Sequence, residues 1–278
     1  MIKSIKAQIS ILLEKKIAII MFVLMMIFVL VNYFFNVTKY EGTYTNVMIQ
    51  PMRLLFLSSE ESYSASLKFM FLQFYPVLVV LPAGFFYASD VNSKMEIYLA
   101  SRMGKRKYLL GKMVAVFAVT FLVFTIPFLI EMCLNCLAFP VEANGNYSNA
   151  GIYSDLYVES VESYLFLGSF IVSPYLYAFV SIIFFGVASG ILTLFTLAVS
   201  MFFSKYKVLL LLPVYVLLYG LGSLYSILPE VEIHTSHFQY FSMFDMSQKS
   251  QVLFILVLVL LALISVGTIT FKSRRDTY

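Results

Sequence analysis

A chain of 278 residues that is 61% hydrophobic and only 12% charged lacks the roughly 25% of charged residues that coat a soluble domain. That excludes a water-facing globule and leaves lipid as the solvent. The formal net charge of +4 comes without the basic and aromatic stripe by which proteins hold nucleic-acid strands, so no nucleic-acid partner is expected. The predicted fold is an all-α, polytopic membrane helical bundle, a single transmembrane domain over 1–278.

In chain order, residues 1–16 come first. Ile2, Ile5, Ile9, Leu12 and Leu13 recur at helical spacing, with Lys3, Lys6, Ser10 and Glu14 opposite. This predicts an amphipathic helix lying along the inner membrane surface. The uncharged run 17–35 is too long for a signal-peptide core and lacks a small-residue cleavage site, so it reads as a retained span. Five further runs, about 69–89, 113–139, 171–203, 208–228 and 252–271, approach the roughly 20 residues that cross a hydrocarbon core, giving six predicted transmembrane helices.

Details within the runs carry further expectations. The apolar stretch 165–203 exceeds one span, and Pro174 is expected to open the membrane helix after an interfacial segment. Pro76 and Pro82 in the second run, Pro127 in the third and Pro213 in the fifth are expected to bend their helices. Gly186 and Gly190 match the close-packing pattern of membrane helices, with packing inside the subunit favoured over a dimer seam. Tyrosines at the run ends, among them Tyr33, Tyr87, Tyr108, Tyr164 and Tyr206, supply the interfacial belt that the absent tryptophan would otherwise form.

Lysine and arginine set the orientation. With the amino end in the cytoplasm, Lys3, Lys6, Lys15 and Lys16 lie inside, as do Lys94, Arg102, Lys105, Arg106, Lys107 and Lys112. Lys205, Lys207, Lys272, Arg274 and Arg275 join them, leaving Lys39, Arg53, Lys68 and Lys249 outside. The loop about 140–164 carries Glu142, Asp155, Glu159 and Glu162 and no basic residue, as an outer loop should. Both termini are therefore expected in the cytoplasm.

The second loop carries start and stop signals of its own. Ser93-Lys94-Met95-Glu96 has the form of a capping box, and Gly104 suits a helix end, predicting a short cytoplasmic helix over 94–103. Met95, Leu99 and Met103 fall at i, i+4, i+8, with Tyr98 and Arg102 beside them. A helix this short is not stable alone in water, so a face of Met, Leu and Tyr calls for a protein surface; the alternative is that it rests on lipid or a neighbouring loop.

The run from Ser93 through Arg102, Lys105-Arg106-Lys107 and Leu109-Leu110 to Lys112 resembles the first cytoplasmic loop of ABC-2 type permeases, the membrane-spanning subunits of ABC exporters. The layout of amphipathic amino-terminal helix, six spans and a longer outer segment before the last span resembles that family too. The outer segment, 229–250, is more polar at its start than the family's re-entrant hairpin. The resemblance implies that 94–103 is a coupling helix docking on a separate ATPase subunit through Lys94, Met95, Glu96, Tyr98, Leu99, Arg102 and Met103. It also implies a second permease subunit, identical or homologous, and a bacterial plasma membrane.

This chain is not itself expected to hydrolyse ATP. The stretch Gly104 to Gly111-Lys112-Met113 has the wrong spacing for a phosphate loop and no hydroxyl after the lysine. No catalytic constellation, cofactor or metal site is expected. Glu131, the ionisable residue found inside the spans, is read as an interfacial, solvated carboxylate near the outer end of its helix, or else as part of a substrate pathway. Cys133 and Cys136 on the same helix are read as apolar-face residues rather than a redox pair. His234 and His237, with Glu230 or Glu232, fall short of a metal-ligand set. Asn36-Val-Thr38 and Asn146-Tyr-Ser148 are read as chance matches to glycan acceptors.

The expected function is therefore export of a peptide, lipid-linked molecule or amphiphile. The rival is a non-transporting membrane protein such as a toxin-immunity factor or scaffold. An intramembrane hydrolase would need paired catalytic groups at depth, which the runs lack.

Overall fold

The computed structural model describes residues 2–44, 48–58, 62–140, 164–227, 235–245 and 247–274. All regular structure among them is helical. In chain order the α-helices are α1 (Ile2–Glu14), α2 (Ile17–Tyr40), α3 (Ser62–Leu78), α4 (Phe86–Asn92), α5 (Met95–Met103), α6 (Lys105–Ala138), α7 (Leu167–Val172), α8 (Pro174–Ser200), α9 (Leu212–Ile227), α10 (His237–Phe241) and α11 (Gln251–Arg274), with 3-10 turns at Pro51–Leu54 and Val208–Leu211. Among the described residues, four helices are long and apolar enough to cross a membrane: α2, α6, α8 and α11. The protein is a membrane protein on that ground.

The second and fifth predicted spans are represented among the described residues by shorter helices. Helix α3 has 17 residues and α9 has 16. The second run does not merely bend; it stops at Leu78 and resumes as α4 at Phe86. Pro82 has no N–H to donate to the carbonyl of Leu78, where the helix ends. Within the break the Val79 carbonyl is met from α8, Thr193 Oγ1 donating to it at 2.8 Å. Pro76 sits inside α3 and cannot donate to the carbonyl of Leu72. His237 Nε2 takes that carbonyl at 3.2 Å and the Tyr219 hydroxyl donates to the next one, Gln73, at 3.0 Å. Pro213 bends nothing: it lies in the first turn of α9, where a missing N–H costs nothing. Pro174 opens α8 as expected, capped by Ser173, whose side chain accepts from the Tyr175 amide at 3.2 Å.

The centre of the molecule is α6 packed along α8. A methyl group added at Gly186 would lie 1.9 Å from Thr125 Oγ1, and one at Gly190 would lie 2.6 Å from the Phe117 ring. The two glycines therefore let α8 close on α6 of the same chain, as the small-residue pattern predicts. Around this pair lie α2, α11 and α1. Helix α1 meets α6 through Ser4, Gln8 and Leu12, which are buried, while Ile2 and Leu13 stay exposed. The Ser4 hydroxyl donates to the Lys107 carbonyl at 2.9 Å, over Gly111.

The stretch 51–58, read from sequence as part of an outer loop, is folded into the bundle. Pro51, Met52 and Leu54 through Ser58 are all buried, and Phe56 stands among Phe28, Phe71 and Phe128 at ring distances of 5.9, 5.4 and 6.3 Å. The Met243 amide donates to the Leu57 carbonyl at 3.0 Å, so the segment before the last span locks onto it. That later segment is inserted as well: Phe241 packs on Tyr75 and Phe185 at 4.9 and 5.1 Å.

Candidate functional site

Helix α5 and the side chains beneath it form the candidate site. Its nine residues stand between two backbone reversals, Lys94 at φ +59° and Gly104 at φ +80° with ψ 135°. The second is a conformation that residues with a side chain avoid, so glycine there lets α5 end and α6 begin at a single residue. The Gly104 amide closes α5 on the Ala100 carbonyl at 2.8 Å, and its carbonyl accepts from the Tyr108 amide at 3.0 Å.

The capping box does not form. Ser93 still belongs to the last turn of α4, at φ −89° and ψ 2°, whereas a capping residue needs extended backbone to aim its oxygen at the following amides. The Ser93 hydroxyl instead donates back to the Ser89 and Asp90 carbonyls at 2.9 and 3.2 Å. Glu96 Oε1 is left to accept from the Tyr87 hydroxyl at 2.9 Å.

None of the residues of α5, all of them described, is fully buried. Leu99 and Met103 pack partly against the core, and Glu96 is half-buried. With Ala100 they make the i, i+3, i+4, i+7 stripe that faces the bundle. The outward face carries Lys94, Met95, Ile97, Tyr98, Ser101 and Arg102, with Ile97 and Tyr98 68% and 67% exposed. This turns the expected face: Leu99 and Met103 look inward, and Ile97, passed over in the sequence, is the most exposed apolar side chain on the helix. An i, i+4 spacing gave no means of choosing which side of so short a helix the bundle would take.

Beneath α5 lies an ion network that the sequence reading did not find. Asp90 of α4 and Lys112 of α6 are 2% and 0% exposed. Asp90 Oδ2 accepts from Lys112 Nζ and, at 3.0 Å, from the Tyr108 hydroxyl, while Oδ1 accepts from Lys15 Nζ at 3.0 Å. Lys112 Nζ also lies 3.8 Å from the centre of the Phe86 ring, with the Lys15 ammonium 4.6 Å from the same ring, positions where a ring face attracts a cation. Burial by itself pushes the Asp90 carboxyl up, but the ammonium groups of Lys112 and then Lys15 outweigh it and hold the group below its usual range. One carboxylate thus ties the α1–α2 turn, α4 and α6, and the Tyr87–Glu96 bond extends the tie to α5.

The other candidates fall elsewhere. Glu131 is 0% exposed, which corrects the expectation of a solvated carboxylate: the 51–58 segment covers it, and its Oε1 accepts from Asn32 Nδ2 at 2.7 Å and the Phe56 amide at 2.8 Å. Cys133 and Cys136 are free thiols, the first exposed and the second half-buried. His237 is buried, and burial pushes its ring down to about 4, so it serves as a neutral donor to Leu72. His234, Glu230, Glu232 and Asn146 lie outside the described residues. Asn36 is buried in α2, its amide donating to the Leu54 carbonyl at 2.8 Å, where no glycan could be attached.

No protein-family profile matches the chain, no characterised protein matches its sequence, and no solved structure matches its fold.

Proposed function

We propose that the protein is the membrane-spanning permease subunit of an ABC-2 type exporter, driven by a separate ATPase subunit that docks on α5. The observation that carries this reading is the helix itself: a short, self-delimited element at the basic end of the bundle, with an outward face of Met95, Ile97, Tyr98 and Arg102 and an inward face keyed to the bundle. Soluble protein surfaces enriched in tyrosine, methionine and arginine are the kind that partners bind.

The mechanism follows from the connections. Load applied to α5 reaches α4 through Lys94 and the Tyr87–Glu96 bond, and reaches α6 through Gly104. Asp90 and Lys112 hold α4 and α6 together, so the two move as a unit. Helix α6 runs 34 residues, about 50 Å at the α-helical rise, long enough to carry motion from the docking end to the far end. In this reading residues 69–89, which run from α3 into the start of α4, supply the second span and α9 the fifth. Both termini are cytoplasmic, α1 lies along the inner leaflet of a bacterial plasma membrane, and two subunits, identical or homologous, enclose the path of a peptide, lipid-linked or amphiphilic cargo.

Co-expression with an ATPase encoded beside this chain, followed by purification, tests the proposal. Ile97→Asp with Tyr98→Asp is expected to abolish co-purification and any permease-dependent ATPase activity while leaving the protein in the membrane. Undiminished association would refute docking through α5.

A further inference from the structure

Glu131 is one of four fully buried polar side chains in a single place. Asn32 and Asn36 stand one turn apart on α2, and Glu131 and Asn135 one turn apart on α6, all 0% exposed. The 51–58 segment joins the two pairs. Asn32 Nδ2 donates to Glu131 Oε1 at 2.7 Å and to the Leu54 carbonyl at 2.9 Å; Asn36 Nδ2 donates to the same carbonyl at 2.8 Å. Asn135 Nδ2 donates to the Pro51 carbonyl at 3.3 Å.

A backbone carbonyl can only accept, so these bonds fix which end of each amide is nitrogen. They also leave a lopsided account. Each amide nitrogen donates at least once, whereas four oxygens of the cluster have no hydrogen-bond partner among the described residues: Asn32 Oδ1, Asn36 Oδ1, Asn135 Oδ1 and Glu131 Oε2. Buried polar atoms are nearly always satisfied, and here every atom of the cluster left without a partner is an oxygen, a set of electron-rich ligands bonded to no cationic side chain among the described residues. A proton on Glu131 Oε2 would supply a donor to one amide oxygen and leave two without.

We propose that this place, between α2, α6 and the 51–58 segment, binds one monovalent alkali cation through Glu131 and the amide oxygens of Asn32, Asn36 and Asn135. Oxygen ligands alone select a hard cation, and among the described residues no group of three or more His, Cys, Asp and Glu exists to hold a transition metal. A single carboxylate balances a single charge; a divalent ion would leave a net positive charge in apolar surroundings, which is costly. The ion would bridge α2 to α6 and pin the inserted segment. This inference does not depend on the permease reading.

The test uses the full-length protein in nanodiscs, its thermal unfolding followed by circular dichroism in N-methyl-D-glucamine chloride at fixed ionic strength. Replacing that salt by NaCl or KCl is expected to raise Tm saturably, by about 3 °C or more for a bound ion in excess. Glu131→Gln is expected to lose that rise. Asn135→Asp, which adds a second carboxylate, is expected to transfer the response to CaCl2, and it decides the matter should Glu131→Gln fail to fold. The proposal is overturned by a Tm indifferent to alkali cations, including one that rises only on acidification, which would mean a proton alone. It is equally overturned by a sodium response that survives in Glu131→Gln, or by calcium outperforming sodium on the unaltered protein.

Discussion

Among the described residues two carboxylates, Asp90 and Glu131, are buried toward opposite ends of α6, and they are treated differently. Asp90 sits beside Lys112, itself on α6 about 28 Å from Glu131 along the helix, and it draws on two ammonium groups and a phenol. Glu131 draws on an asparagine amide and a backbone N–H, and among the described residues no ammonium or guanidinium is bonded to it. The first is an internal ion pair fixed by the chain. The second is a polar cluster whose carboxyl meets only neutral donors among the described residues. The difference teaches where each kind of group belongs: a permanent pair where helices must move as one, and a carboxyl with neutral donors where the chain can accept a positive charge from outside.

The comparison can be broken most directly at the pair. Asp90→Leu alone leaves the buried Lys112 ammonium uncompensated and is expected to cost about 3–5 kcal/mol, read as a fall in Tm or denaturant midpoint, whereas Lys112→Met should cost less, because Lys15 still pairs with Asp90. The double variant Asp90→Leu with Lys112→Met should recover most of it, because an apolar pair of similar volume replaces an ion pair at little cost. Glu131→Gln in alkali-free buffer should cost under about 1.5 kcal/mol, since its amide oxygen can still accept from Asn32 and Phe56. Equal losses at the two sites would erase the distinction.

Acid sharpens it. The His237 ring is neutral in the fold and depressed to about 4 from an ordinary 6.5. The unfolded chain therefore takes up a proton first, and the stability His237 contributes is present above pH 6.5 and lost as pH falls toward 4. The Asp90 carboxyl is held below its ordinary value, so its contribution persists through that window and is lost only as pH falls below the usual carboxylate range. Two acid-induced losses are expected in a pH series of unfolding midpoints. The upper one should vanish in His237→Gln, whose amide can still donate to Leu72, and the lower one in Asp90→Asn.

The smallest effect belongs to the exposed face of α5. Ile97→Ala should change stability by no more than about 0.5 kcal/mol, whatever it does to the binding of a partner. A large loss would mean that this face packs against the protein's own bundle.

Much of the helical scaffold was legible. The long apolar runs of α2, α6, α8 and α11 announce themselves by length, Pro174 marks where α8 opens, and Gly104 marks where α5 stops. The candidate site was legible only in outline. The bounds of α5 followed from its flanking residues, but its orientation did not, and the Ser93–Glu96 pattern misled because Ser93 was still needed by the helix before it. Asp90 and Lys112 each looked like an ordinary charge flanking a span.

By itself the sequence determined the solvent, the helical class and the position of the longest helices, because the cost of exposing charge or unpaired backbone to lipid is local and can be summed along the chain. Only the tertiary structure decided which side of α5 faces out, that 51–58 enters the bundle to cover Glu131, that His237 completes a bond Pro76 cannot make, and that Asp90 meets Lys112. Each of those depends on residues distant in the chain arriving within about 3 Å of one another, and no periodicity along the chain encodes that.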